Sequence, residues 1–270
     1  MTVPVDPALA AELRATLTSV LDAARAPTLQ HFRSAALVAE NKAEGGAFDP
    51  VTAADRAAEA AMRDILARDR PADGILGEEF PAVPGTSGLT WVLDPIDGTR
   101  AYISGAPTWG VLVGLDAGAG PILGAIDQPW IGERFIGGFG RATQQRDGSE
   151  TPLATRPCAT LAEAVLLTTF PEIGTSAERE GFEAVRDRVR LTRYGLDCYA
   201  YALVAAGQVD LVIEAGLAPY DIQGPMAVIE AAGGLVTDWQ GGPAHRGGRI
   251  LAAGDRRVHE AARTILQAIP

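Results

Sequence analysis

The sequence predicts an α/β protein with an α+β N-terminal half and an alternating α/β C-terminal half. Two observations carry this expectation. From Gly74 onward, helical periodicity gives way to short apolar runs bounded by Gly, Pro and Asp, and beyond Pro157 such runs alternate with amphipathic stretches. The 270 residues, 47% of them hydrophobic and 21% charged, are enough to bury roughly 70% of the unfolded surface. No low-complexity tract and no run of about 18 apolar residues is present, which excludes a disordered or membrane-spanning chain.

Asp6-Pro7 opens the first helix, with Asp as N-cap and Pro at the first helical position. Leu13, Leu17, Val20, Leu21 and Ala24 recur on one face, and Pro27 is expected to kink or interrupt the helix beyond them. Residues 41–48, with paired glycines, read as a loop. Thr52 starts a second helix whose Ala58, Ala61, Met62, Ile65 and Leu66 make one apolar face. Strands are predicted at 74–77, 90–93, 108–115, 121–126 and 133–139, and Asp147-Gly148 marks a turn inside a polar stretch. Next come a strand at 165–170, a helix at 176–189, an extended segment at 191–194 and a helix at 197–206. A strand at 209–214, a helix at 221–232, strands at 235–239 and 250–253 and a helix at 255–268 complete the chain. The two parts, 1–157 and 158–270, are expected to share an interface rather than a long linker.

Twenty-three Lys and Arg against 34 Asp and Glu give a net charge of −11. So acidic a chain does not hold a phosphate backbone by bulk charge, which argues against nucleic acid as a partner. The N-terminus shows no basic segment followed by an apolar one, so no secretory signal is legible and the cytoplasm is the expected compartment. Cys158 and Cys198 form no CxxC and read as buried free thiols. His31, His245 and His259 lack partners at ligand spacing and read as structural or solvated. There is no GxxxxGK[ST], GxSxG or HExxH, and the third Gly of a dinucleotide fingerprint is missing after Gly138-Phe139-Gly140.

What remains is a set of carboxylates at the ends of predicted strands. Glu78 and Glu79 follow Ile75-Leu76, Asp94 and Asp97 follow Trp91-Val92-Leu93, and Asp221 opens a helix after the 209–214 strand. Each has a structural alternative: Asp221 as an N-cap, Asp55 as the closing half of a Thr52-x-x-Asp55 capping box, Glu78 and Glu79 as a solvated pair. Asp94 is harder to explain this way, because it stands at the core edge and Asp97 repeats its charge. Two carboxylates forced together raise each other's pKa unless a cation neutralises them. Pro95 fixes the backbone between them, and Gly98 permits close approach of a ligand. Amides at Gly98 and Thr99 could then take an anionic oxygen, the layout that phosphoryl transfer requires.

Residues 91–99, WVLDPIDGT, resemble the signature of the inositol monophosphatase family of metal-dependent phosphatases. Residues 49–55 (DPVTAAD), Gly77-Glu78-Glu79 and 220–224 (YDIQG) are similar to three further family segments, in the family's order. The resemblance implies a layered α-β-α-β-α sandwich like that of inositol monophosphatase and fructose-1,6-bisphosphatase. It implies that Glu78, Asp94 and the Ile96 carbonyl bind one Mg²⁺, that Asp94, Asp97 and Asp221 bind a second, and that Glu78 helps hold a third. Asp55 with Thr99 would orient the attacking water, and the Gly98 and Thr99 amides would hold phosphate oxygens. Segment 1–157 would thus carry most metal ligands, and 158–270 would carry Asp221 and the substrate contacts. An all-oxygen donor set independently favours Mg²⁺ or Mn²⁺ over Zn²⁺. Tyr220 in place of the usual Trp, and Gln223-Gly224-Pro225 in place of a small-residue run, depart from the family pattern. Lys42 stands near the place of the family's loop lysine, with its spacing shifted by the Gly-rich insertion.

For the substrate, residues 99–105 (TRAYISG), 196–201 (LDCYAY) and Asn41-Lys42-Ala43 are similar to segments of the family's histidinol-phosphatase branch. Glu214, seven residues before Asp221, matches the position contacting the non-phosphate part of the substrate. Arg100, Asp197 and Glu214 are the candidate substrate contacts; Asp197 has the alternative role of N-cap. An ammonium and an imidazole would suit Asp197 and Glu214 through charge-assisted hydrogen bonds. The expected activity is hydrolysis of L-histidinol phosphate in histidine biosynthesis, by a homodimer. The alternatives are an inositol-1-phosphate or broad sugar-phosphate phosphatase, and a non-catalytic metal- or ligand-binding regulator.

Overall fold

Helix α1 (Pro7–His31) and helix α2 (Ala53–Asp69) pack along each other and together cover one face of a seven-stranded sheet. The computed structural model describes residues 6–35, 37, 39–41 and 50–269. Lys42, Asp49 and nearly all of the loop expected over 41–48 lie outside the described residues. Asp6 is the N-cap and Pro7 the first helical residue, as expected, although the Asp6 side chain makes no cap bond. The expected interruption at Pro27 needs correction, because the helix runs on to His31. Pro27 stands so near the C-terminus that its missing N–H costs a single bond, while Thr28 donates its hydroxyl back to the Ala24 carbonyl at 2.9 Å.

A short ribbon of β1 (Ala39–Asn41) and β2 (Pro50–Thr52) precedes α2. The large sheet then follows the chain in order: β3 (Gly74–Gly77), β4 (Thr90–Asp97), β5 (Gly110–Asp116), β6 (Pro121–Gln128), β7 (Glu133–Gly138), β8 (Arg141–Arg146) and β9 (Ser149–Pro152). Only β3 and β4 run parallel; the rest is an antiparallel meander. The polar stretch around Asp147-Gly148 is the β8–β9 hairpin. Both turn residues have left-handed φ, 50° and 75°, the two-residue turn that suits strand twist. β9 is exposed throughout and β8 is polar, so neither announced itself by apolar alternation.

The second sheet holds β10 (Val165–Thr168), β11 (Leu191–Tyr194), β12 (Leu211–Leu217), β13 (Leu235–Thr237) and β14 (Gly248–Ala253), in the order β11-β10-β12-β14-β13. Between the sheets lie α5 (Tyr199–Ala205) and α6 (Pro219–Ala231), and outside the second sheet lie α4 (Ser176–Arg186) and α7 (Arg256–Leu266). The two-residue strand period sorts the core. Val111 and Val113 join the cluster of Leu13, Leu17 and Met62, whereas Leu112 joins that of α5 and α6. In β12, Leu211 and Ile213 face Phe182 and Val258, and Val212 faces inward with Val228. The result is a layered α-β-α-β-α sandwich, as the resemblance implied.

Helix α6 lies directly on the backbone of the large sheet. A Cβ at Gly114 would come within 2.8 Å of Gln223 Cβ, one at Gly124 within 2.8 Å of the Gly224 carbonyl, and one at Gly137 would overlap the Val228 Cα. Gly224 answers from the helix side, 2.7 Å being all a Cβ would have to the Ala125 carbonyl. Gln223 ties the same turn down by donating to Asp116 at 2.9 Å and to the His245 carbonyl at 3.0 Å. The departure at Gln223-Gly224-Pro225 therefore reads as close seating of α6, with Pro225 accommodated inside the helix.

Candidate active site and metal centre

Strand β4 does not stop at Leu93; it carries Asp94 and Asp97 in extended backbone. Residues three apart on a regular strand point to opposite faces. Here Asp94 pairs with Leu112 and Asp97 with Gly110, so β4 advances three residues while β5 advances two. This bulge restores both carboxylates to one side. Pro95 fits there because an irregular ladder does not need its missing N–H, and the Ile96 amide donates to Asp94 Oδ1 at 3.0 Å.

Helix α6 brings the third carboxylate. It begins at Pro219, so Asp221 stands in its first turn instead of opening it, and the Ala218 amide donates to Asp221 Oδ2 at 2.7 Å. Asp94, Asp97 and Asp221 offer oxygens that all lie within 4.8 Å of one another. Burial, followed by the charges of Glu78, Asp97, Asp221 and Asp55, pushes the Asp94 carboxyl well above its usual range. Burial, Asp221 and Asp197 do the same to Asp97, against the lowering pull of the Cys198 amide donating at 2.7 Å. Asp221 is pushed up to about 6, first by burial. Three oxygen ligands at this spacing, each made costly by the others' charge, fit a hard divalent cation.

A carboxyl whose folded pKa exceeds its unfolded value binds its proton more tightly when folded. Each such group's contribution to apo stability is therefore fully present below its unfolded pKa and lost as pH rises through its folded one, which for Asp221 is about 6. A bound divalent ion relieves the repulsion that remains. The Mg²⁺-induced rise in Tm of chelator-treated protein is thus expected to be larger at pH 8 than at pH 5. Asp97→Asn is expected to narrow that difference. Thermal melts at both pH values check this, and equal shifts would contradict it.

Asp55 approaches from α2 and is almost fully buried. The predicted capping box is present: Asp55 Oδ2 accepts from the Thr52 amide at 2.8 Å and from its hydroxyl at 2.5 Å. Its charge nevertheless reaches Asp94. The Thr99 hydroxyl donates to the Ile96 carbonyl at 3.2 Å. Gly98 has a left-handed φ of 79° and caps the short helix α3 (Thr99–Ser104). A Cβ there would come within 2.7 Å of the Asp197 carboxyl carbon, so the position needs Gly for both reasons.

Glu78, Asp97 and Asp221 line a cavity of about 420 Å³ together with Asp197 and Glu214. Asp197 is no N-cap: α5 starts at Tyr199, and Asp197 sits before it at φ 48°. Its Oδ2 accepts from the Thr108 hydroxyl at 2.8 Å, and burial raises its pKa. Glu214 is held by three donors, the Thr169 amide (3.0 Å) and hydroxyl (2.6 Å) on Oε1 and the Tyr201 hydroxyl (2.8 Å) on Oε2; burial raises it as well. The Arg100 guanidinium stacks 5.0 Å over the Phe170 ring at the cavity. All candidate residues thus come together around one cavity or against its carboxylates. Thr169 and Tyr201 were not among the expected residues, and neither was Glu59. Glu59 is a fully buried carboxylate four residues after Asp55, on the same face of α2. That spacing was its legible signal.

The chain matches the inositol monophosphatase family over residues 10–270. It is 43% identical over 226 residues to the bifunctional phosphatase IMPL2, chloroplastic, of Arabidopsis thaliana. That match covers 80% of this chain but 64% of the plant protein, so the chain spans just under two thirds of that relative's length. It is 35% identical over 250 residues to a histidinol-phosphatase of Streptomyces coelicolor, covering 88% of this chain and 91% of the other. Among solved structures, an inositol monophosphatase from Zymomonas mobilis superposes with a TM-score of 0.82 at 36% identity, over 97% of this chain and 100% of that one.

Proposed function

The chain belongs to the inositol monophosphatase family and is a phosphoric monoester hydrolase; from that premise we propose that its substrate is L-histidinol phosphate and its cofactor Mg²⁺. The observation that carries the substrate is the placing of two further carboxylates, half-buried Asp197 and buried Glu214, in the lining of the cavity that Glu78, Asp97 and Asp221 also line. A leaving group with an ammonium and an imidazole answers them; an uncharged polyol does not.

In this reading Glu78, Asp94, the Ile96 carbonyl, Asp97 and Asp221 hold two or three Mg²⁺, with Mn²⁺ able to substitute. When bound, the ions supply positive charge to the phosphoryl oxygens and acidify a bound water. Residues 1–157 contribute most of these ligands, and 158–270 contribute Asp221 and the substrate contacts. Asp55, Thr99 and Glu78 orient the attacking water in line with the P–O bond, and Asp55 takes its proton. The Gly98 and Thr99 amides hold two phosphate oxygens, and Arg100 lies beside them. The water oxygen bonds to phosphorus as the ester P–O bond breaks, and the departing alkoxide takes a proton from solvent water while Asp55 returns its own to solvent. No helix among the described residues is long and apolar enough to cross a membrane. That the enzyme is a cytoplasmic homodimer is a proposal carried by the sequence reading alone.

A side-by-side kinetic assay tests the substrate. One charge-assisted contact in place of an ordinary one gives about a tenfold preference and two about a hundredfold. kcat/KM for L-histidinol phosphate is therefore expected to exceed that for inositol 1-phosphate by about 10- to 100-fold. Asp197→Asn is the better probe than Glu214→Gln, because Glu214 already serves three donors that an amide would disturb. It is expected to narrow the ratio. An equal or reversed ratio favours the second reading, an inositol-1-phosphate or broad-specificity phosphatase, which the 36% identity to the Zymomonas mobilis enzyme also supports.

A further inference from the structure

We propose that Glu59, locked to Arg63, is the positioning residue that holds the Glu78 turn in place for metal binding. The inference rests on the proposed role of Glu78 as a metal ligand, and it assigns a task to a buried charge which that role does not use.

Glu59 lies on α2 beneath the turn that follows β3, with its side chain fully buried. Its carboxylate accepts from the Glu79 amide at 2.7 Å, from the Phe80 amide at 3.3 Å and from Arg63 Nε at 2.7 Å. Arg63 completes the clamp by donating to the Phe80 carbonyl at 3.0 Å and the Pro81 carbonyl at 3.1 Å, with its guanidinium 5.7 Å over the Phe80 ring. One ion pair thus fixes four backbone groups of residues 79–81. On the other side, the Glu78 amide donates to the Leu93 carbonyl at 3.2 Å, one residue before Asp94. Glu78 is therefore strung between the β4 strand that carries Asp94 and the α2 carboxylate.

The sequence accommodates this contact at a specific place. Any Cβ at Gly77 would overlap the Glu59 carboxylate, so the turn closes on Glu59 only because residue 77 is Gly. Asp55, Glu59 and Arg63 recur every four residues, so one face of α2 reaches the site and also braces the turn. A buried carboxylate is costly unless it is paired and hydrogen-bonded. Glu59 is both, and the backbone it braces belongs to the site.

The test is Glu59→Gln. An amide keeps the size but offers one acceptor oxygen, so it cannot serve Arg63 and both backbone amides, and its NH₂ must face a donor. Partners that orient a metal ligand from outside its coordination shell typically cost 10–100-fold in metal affinity when removed. The Mg²⁺ concentration for half-saturation is expected to rise about tenfold or more, both by calorimetry and in turnover, with turnover recovering at high Mg²⁺ and substrate KM unchanged. Arg63→Lys, at a side chain that reaches the surface, serves where Glu59→Gln fails to fold, and is expected to shift half-saturation in the same direction. A folded variant with wild-type half-saturation, even with a lowered Tm, would overturn the inference and leave the metal site standing. Wild-type protein that binds no Mg²⁺ would overturn the reading of Glu78, and the inference with it.

Discussion

Asp94→Asn is expected to lower turnover by about 10³-fold or more, the largest loss of any single substitution in this chain. Asp94 is the most buried member of the acidic cluster and feels Glu78, Asp97, Asp221 and Asp55 together. Asparagine keeps its shape and can keep the bond from the Ile96 amide, but it removes the charge a divalent ion needs. The same substitution removes a source of repulsion from the metal-free protein. Its Tm in chelator at neutral pH is therefore expected to equal or exceed that of the wild type, while the Mg²⁺-induced rise disappears. Activity falling as apo stability holds separates a lost ligand from a damaged fold. Near-normal turnover at saturating Mg²⁺ would show that Asp94 is not the shared ligand.

Asp55→Asn carries the second largest expected loss, about 10²- to 10⁴-fold in turnover, the range for a group that positions and deprotonates a nucleophile. The structure supplies the competing explanation, because Asp55 also closes the α2 capping box. If capping were its only task, the change would cost about 0.5–2 kcal/mol of stability and leave activity per folded molecule intact. Turnover and Tm read on one preparation decide between them. Thr99→Ala is the companion: it removes a hydroxyl bonded to the Ile96 carbonyl without touching the cap, and it is expected to lower turnover alone.

The site was more legible than the fold that builds it. Asp94 and Asp97 stood out because charges seldom follow an apolar strand so closely, yet their three-residue spacing places them on opposite faces of a regular strand. The bulge that reunites them depends on β5, which no local pattern in residues 91–99 reveals. Asp221 could be named from its segment, but its approach depends on Gly114, Gly124 and Gly137, on three strands whose glycines have meaning only once α6 lies on them. The start of α5 was misplaced because Asp197 has the composition of a cap; in the fold it is held left-handed, packed on Gly98 and bonded to Thr108. β8 and β9 were invisible because β9 is an exposed edge strand and β8 buries only the adjacent Ala142 and Thr143, which impose no two-residue period. Glu59 offered only its four-residue spacing from Asp55 as a signal, and a charge beside Ala58 and Met62 on an amphipathic helix still looks like the solvated side until the turn above it is known.

If the acidic cluster of Asp94, Asp97 and Asp221 is a metal centre for phosphate-ester hydrolysis, activity must follow the metal. Phosphate release from L-histidinol phosphate by chelator-treated protein, measured before and after Mg²⁺ is restored, tests it most directly. No release is expected from the metal-free protein, with recovery on adding Mg²⁺ and no recovery in Asp94→Asn. Undiminished release from protein verified to be free of metal would contradict it.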